Sequence, residues 1–184
     1  MQHTSLEDFY KEASIFTGRE IETLLPPGIN KEIGHFNIFD ISETIRTVKE
    51  KNQMPYNRRA YYKISLIRGK NRAEYADKVI EVSSNALLFA TPNVPYHWVP
   101  LDENQKGSFC VFTDAFLTPS KSDIDLNKLP IFQPGSFPIF EISDKQAEAI
   151  APIFNKMKTE IDSDYEFKYD LLRTRYSLIR TKTN

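Results

Sequence analysis

From Arg58 to Thr113, apolar and polar positions alternate in short runs, and turn-forming residues separate the runs. A period of two marks strands with one buried face. The longest run is Arg58–Arg68. Tyr61, Lys63, Ser65 and Ile67 share one of its faces, and Ala60, Tyr62, Ile64 and Leu66 share the other, more apolar one. Gly69-Lys70-Asn71 is turn chemistry. Arg72–Ala76 and Val79–Val82 pair across Asp77-Lys78, and Ser83-Ser84-Asn85 turns the chain again. Ala86–Ala90 is apolar throughout, the pattern of a strand buried on both faces. Pro92 and Pro95 bracket a corner, because proline cannot donate to a ladder. Tyr96–Val99 and Ser108–Thr113 follow, separated by the polar turn Asp102–Gly107. Gly34–Ile41 reads as an opening strand and Phe137–Ile142 as a late one. Short antiparallel strands at this spacing predict a sandwich or a small barrel.

Outside this block the period becomes helical. Ser5 and Asp8 form a capping box, Leu6, Phe9, Tyr10 and Ala13 share a face, and Gly18 is a stop. This helix is expected to pack on the strands or on a partner. Leu24–Gly28, with Pro26 and Pro27, is a stiff loop. Ser42–Lys51 fits either a short helix or a charged loop. Ala115–Asn127 is polar and irregular, and Pro130, Pro134 and Pro138 keep the next stretch extended.

Ser143 with Gln146 is a second capping box. Behind it Ala147, Ile150, Phe154, Met157 and Ile161 form an amphipathic stripe. Pro152 falls inside this stripe, which predicts a kink near Ile150–Ala151 or a helix restarting at Ala151. A last helix is expected over Tyr165–Lys182. Its Tyr169, Leu172, Tyr176 and Ile179 recur at 3-4-3 spacing, the seam of a helix pair. Leu171 and Leu178 fall on a neighbouring face. The stripe is wide enough for a hairpin mate and a second subunit, and equally fits two faces packed within one domain. Arg173, Arg175, Arg180 and Lys182 suit a helix C-terminus, as a solvated basic face.

Composition narrows the function classes. The chain has 184 residues, 40% hydrophobic and 27% charged, which fits one domain with a sizeable core. A net charge of −1 is no nucleic-acid signature. No apolar run reaches the roughly 18 residues of a membrane span. The N-terminal residues lack the basic and apolar regions of a signal peptide. Cys110 is the single cysteine, in keeping with a reducing cytoplasm and a buried side chain. There is no Ser/His/Asp signature, no Gly-rich phosphate loop and no CxxC, so no catalytic residue is assigned.

The strand ending at Gly69, the hairpin EYADKVIEV, the apolar ALLFATP, and then NVPYHW and GSFCVFT together resemble the N-terminal cupin domain of AraC-type transcription regulators. The order and spacing match over most of the chain, including the helical tail. The resemblance implies an N-terminal helix and extended arm over 1–34 and a cupin-like antiparallel β-barrel (double-stranded β-helix or jelly roll) over 35–142. A helical hairpin over 143–184 would serve dimerisation. In the family a linker and two helix-turn-helix units follow. No segment up to Asn184 offers such a unit, so DNA would be reached only through a further C-terminal domain. The polar end RTKTN, where the family's linker would begin, favours a sensor half of a larger regulator over a stand-alone relative.

The resemblance also frames the site. Cupin enzymes bind metal through His-x-His and Glu on the first strand. Here Tyr56-Asn57-Arg58-Arg59 and Lys63 stand there instead, and His97 follows Tyr96 alone. His97 is a ligand contact, a core residue or an exposed one. Neither metal nor cofactor is expected, and a metal-dependent cupin enzyme (a sugar isomerase or small dioxygenase) is the alternative. In a metal-free barrel whose Lys63 face points inward, Tyr61, Lys63 and Ser65 would line the cavity, with Arg59 at its mouth. Tyr75, Tyr96 and Trp98 would contribute from later strands. If Tyr62, Ile64 and Leu66 fill the barrel instead, Lys63 is solvated. The expected effector is a small molecule, anionic or sugar-like, and the expected dimer interface comprises Tyr169, Leu172, Tyr176 and Ile179.

Overall fold

The computed structural model describes residues 3–28, 33–48, 58–75, 78–92, 94–117 and 139–181. It opens with β1 (His3–Thr4), α1 (Leu6–Thr17) and α2 (Ile21–Leu24). Ser5 caps α1 through the Asp8 amide, and the Asp8 carboxylate answers from the Ser5 amide at 3.1 Å. Gly18, at φ 66°, ends the helix in the left-handed conformation that glycine adopts without strain. β2 (Phe36–Asp40) runs directly into α3 (Ile41–Val48), so the ambiguous stretch after Ile41 is helical as far as Val48. Residues 49–51 of that stretch lie outside the described residues.

The alternating block follows as β3 (Arg58–Arg59), β4 (Tyr62–Arg68), β5 (Asn71–Tyr75), β6 (Lys78–Val82), β7 (Asn85–Ala90), β8 (Tyr96–Pro100) and β9 (Lys106–Phe112). The long strand predicted over 58–68 is thus two. The chain bends at Ala60-Tyr61, and β3 pairs in parallel with β1 rather than extending β4. After the short α4 (Asp114–Leu117), most of the polar stretch and its prolines lie outside the described residues. β10 (Ile139–Glu141), α5 (Asp144–Ile161) and α6 (Lys168–Thr181) complete the chain.

The ladders make two principal sheets. One has five strands in the order β10-β7-β4-β9-β2, and the other three, β6-β5-β8; all of their pairings are antiparallel. No ladder joins the two among the described residues, so the expected closed barrel is instead a pair of facing sheets with a C-terminal helical part. The break falls at the β4–β5 turn, where the chain leaves one sheet for the other. In β9, Gly107 (φ 125°) passes so close to the Leu66 carbonyl that any β-carbon would collide with it.

β4 has a neighbour on each side, and its alternation separates two cores. Tyr62, Ile64 and Leu66 face the helices, with Leu87 and Phe89 of β7 and Cys110 and Phe112 of β9. Ile150, Phe154, Met157, Leu172 and Tyr176 of α5 and α6 cover them. Ile67 faces the three-stranded sheet, with Ala86 beside it, Leu88 and Val111 on the same face, and Ala73, Val82 and Tyr96 in the same core.

Ser143 and Gln146 cap α5 reciprocally. The helix runs through Pro152 without restarting. Pro152 and Glu148, whose carbonyl it leaves without a partner, both lie on the exposed side. At the other end the buried Lys168 donates to the carbonyls of Ile161 at 3.0 Å and Ser163 at 2.9 Å, acceptors the helix cannot serve itself. Arg175 pairs with Glu160 across the hairpin at 2.9 Å, and Arg173 with Asp170 and the Phe116 carbonyl. These two arginines therefore hold the hairpin and its neighbours rather than forming a free basic face.

Candidate functional site

A cavity of about 100 Å³ lies between the two sheets. Its floor is the inner face of the five-stranded sheet. Lys63, Ser65 and Ile67 come from β4, and the register sets Phe109 and Leu88 on either side of Ser65. Tyr96 and Trp98 of β8 form the opposite wall. Trp98 is aimed by a 2.7 Å hydrogen bond from its indole N–H to the buried Asn71 side chain. α1 covers the mouth with Phe9, Glu12, Ala13 and Phe16.

Arg59 is fixed from three sides. Its backbone belongs to the β1–β3 ladder, and the next amide, of Ala60, donates to Thr4 at 3.0 Å. Its guanidinium lies 3.9 Å from the centre of the Tyr96 ring and hydrogen-bonds the Tyr61 hydroxyl. Only 8% of the residue is exposed. Guanidinium stacks well on aromatic faces and offers a planar fork of donors to a carboxylate.

Lys63 is the other cation. Its Nζ lies 4.1 Å from the centre of the Phe109 ring, and among the described residues it has no carboxylate partner. Burial, and then the neighbouring Arg59, pull its pKa down to about 7. Glu12 is pushed the other way: burial raises its carboxyl above the usual range, and Arg59 only partly offsets this. The hydroxyls of Ser65 and Tyr96 are buried without a hydrogen-bond partner among the described residues. Burial also raises the phenols of Tyr61 and Tyr96, which stay protonated donors. The arrangement is an apolar, aromatic chamber with two basic side chains, one carboxyl and two hydroxyls without a partner among the described residues.

Six of the seven residues read from the sequence, Arg59, Tyr61, Lys63, Ser65, Tyr96 and Trp98, line this one cavity. Tyr75 does not; it packs against the inner core farther along β5. His97 is on the opposite side of β8 from Tyr96 and Trp98, with Nδ1 3.4 Å from Glu74. Sequence reasoning missed Glu12 and the α1 lining. The signal was partial: the apolar face of α1 was legible, with packing on the strands or on a partner both open, but not which of its residues would reach the cavity. It also missed Phe109 and Leu88, which only the ladder register brings beside Ser65.

Tyr169, Leu172, Tyr176 and Ile179 are buried inside this chain, against α5 and the five-stranded sheet. Their seam is the intrachain one, and it leaves little surface for another subunit. On the outer side of α6, Phe167 and Leu178 are exposed by 53% and 41%, and Leu171 is partly exposed.

Other features carry less chemistry. The Cys110 thiol is fully buried on the helix side and pushed up to about 12 by burial. Among the described residues no three metal-ligating side chains converge, and no helix is long and apolar enough to cross a membrane.

No protein-family model matches the chain, and no curated protein matches it in sequence. Solved structures do resemble it. Apo ToxT K231A from Vibrio cholerae superposes with a TM-score of 0.49 at 14% identity, over 83% of this chain and 56% of that one. The AraC-like transcriptional activator CuxR gives 0.48 at 13% identity, over 94% and 65%. Unsaturated fatty acid-bound wild-type ToxT gives 0.42 at 15% identity, over 82% and 54%. The chain thus spans between 54% and 65% of the length of these solved proteins. These structural neighbours are AraC-family regulators.

Proposed function

We propose that this chain is the effector-sensing part of an AraC-type transcription regulator, and that its cavity binds a small organic acid. The two facing sheets are then a cupin-type barrel opened at the β4–β5 turn. The observation that carries the reading is the convergence of Arg59 and Lys63 on one enclosed, aromatic-walled chamber. Cations buried among apolar walls are costly unless a counter-charge meets them. Among the described residues Glu12 is the one carboxyl lining the cavity, set against two basic side chains. A ligand carboxylate would bridge both cations while its apolar remainder met Phe109, Tyr96 and Trp98.

α1 closes the cavity, so a ligand that favours one position of α1 would shift the balance between states of the whole chain. DNA binding would lie in a further domain, and its placement would depend on a pair of chains. The outer face of α6, with Phe167, Leu171 and Leu178, is the surface offered to the second copy.

The test is a thermal-shift screen of short carboxylic acids against their amides. At a hundredfold excess over Kd, a ligand adds about 2.7 kcal/mol, or roughly 5–10 °C in Tm for a chain of this size. The shift is expected for acids, absent for amides and lost in Arg59→Met. Equal shifts with the amides would overturn the anionic reading. Dimerisation is checked by sedimentation: Leu171→Glu with Leu178→Glu should give a monomer, and an unchanged dimer would reject that face.

A further inference from the structure

We infer that Lys63 captures a carbonyl-bearing acid covalently and reversibly, as an imine at Nζ, while Arg59 holds its carboxylate. The inference rests on the acid-binding cavity proposed above and adds a second function to it. It makes the ligand an oxo acid rather than any acid.

The geometry separates the roles of the two cations. Arg59 is held by Tyr96, Tyr61 and the β1–β3 ladder, and it cannot lose its proton. Lys63 sits on β4, and its Nζ meets the Phe109 ring instead of a carboxylate among the described residues. A lysine in an apolar pocket beside another cation is the arrangement that frees an amine to act as a nucleophile. The ring face opposes this by favouring the ammonium form. Burial and the neighbouring Arg59 act the other way and pull the pKa down to about 7. The groups facing Lys63 bear this out. Arg59 repels the ammonium, the phenols of Tyr61 and Tyr96 stay neutral, and Cys110 lies on the far side of the sheet as a thiol.

The step balances without a further reagent. The Nζ lone pair adds to the carbonyl carbon and gives a carbinolamine. Its oxygen leaves as water, with one proton from Nζ and one from an acid. Glu12 lines the same cavity and is the carboxyl assigned to hand on that proton. The product is an iminium, with the proton donor left as its anion, and hydrolysis reverses it. No bond is oxidised or reduced. The cavity volume of about 100 Å³ limits the ligand to a short chain.

The experiment treats the intact chain at pH 7 with 4-oxobutyrate and cyanoborohydride, which fixes an imine as a stable amine. Peptide mass mapping then locates it. Labelling is expected at Lys63 at least about tenfold faster than at any other lysine, because exposed lysines near pKa 10.4 are almost wholly protonated. It should vanish in Lys63→Arg, with Lys63→Met as the uncharged control and a thermal melt confirming that each variant folds. Saturation-transfer NMR with butyrate, the same skeleton without the carbonyl, separates the two readings. Butyrate bound in the cavity with no Lys63 adduct overturns the imine and leaves the acid-binding function standing. Neither binding nor adduct overturns both.

Discussion

The two faces of the five-stranded sheet are built from the same three central strands and have opposite characters. Toward the helices, Tyr62, Ile64 and Leu66 meet Leu87, Phe89, Cys110 and Phe112, and apolar side chains of α5 and α6 close over them. Toward the second sheet, the alternate residues of β4 are Lys63, Ser65 and Ile67, and a cavity remains. One residue of register separates a face that only holds the fold from a face that can bind. The comparison shows why polar residues survive at the centre of this sheet: the helix pair supplies the apolar burial, so the inner face is free to carry charge.

The largest difference between the faces should appear in stability. Phe112→Ala removes a fully buried ring that stacks on Tyr62 and is expected to cost about 3–5 kcal/mol by urea unfolding. Lys63→Met, on the same sheet but the other face, should instead leave stability unchanged or raise it, because a poorly solvated cation is removed. A large loss at Lys63 would mean that the inner face holds the fold as well.

The helix side has its own weak point at the α5–α6 turn. Lys168→Met leaves the Ile161 and Ser163 carbonyls without their donor and is expected to cost about 1–3 kcal/mol in the same assay. Ligand-induced shifts in Tm should persist in this variant, since it lies far from the cavity lining.

The pH response divides the faces next. Lys63 has a folded pKa near 7, against about 10.4 when unfolded. Between those values the unfolded chain holds more protons, so stability rises with pH across that window, by at most about 1.4 kcal/mol per unit. The penalty is fully present below pH 7 and gone above about 10.4. Urea midpoints of wild type and Lys63→Met should therefore converge from pH 7 to 10; parallel curves would show a solvated lysine. His35, buried against Tyr10 and lowered to about 4, acts at the acid end. It takes up a proton more readily unfolded, so stability falls from about pH 6.5 to 4.

The smallest effect is at the cavity mouth. Ser5→Ala removes the α1 cap at a cost of about 1 kcal/mol. Amide exchange in α1 should quicken while β4 stays protected, which would separate the cover from the sheet beneath it.

Much of this was legible along the chain. The alternation around Lys63 gave β4 its two faces, and β5 to β9 fall within a residue or two of their predicted places. Both capping boxes are formed by the residues that announced them, Ser5 with Asp8 and Ser143 with Gln146. These signals are local: a cap, a turn and an alternation depend on neighbours a few residues away. The alternation also grouped the cavity residues Tyr61, Lys63 and Ser65 on one face, but it was the family resemblance, and not the period, that turned that face inward.

What the sequence by itself determined is therefore the set of elements and the sides of each strand. The tertiary structure decided which partner each side met. It split the 58–68 run because β1, far away in sequence, pairs with Arg58–Arg59. It placed Glu12 and Phe16 on the same cavity as Lys63, and Phe109 and Leu88 beside Ser65. It turned the Tyr169–Ile179 seam inward, where burial against α5 and the sheet was available within one chain. A stripe of apolar residues records only that it must be covered. Burial is non-directional and proportional to area, so the identity of the cover is written in the packing and not in the stripe.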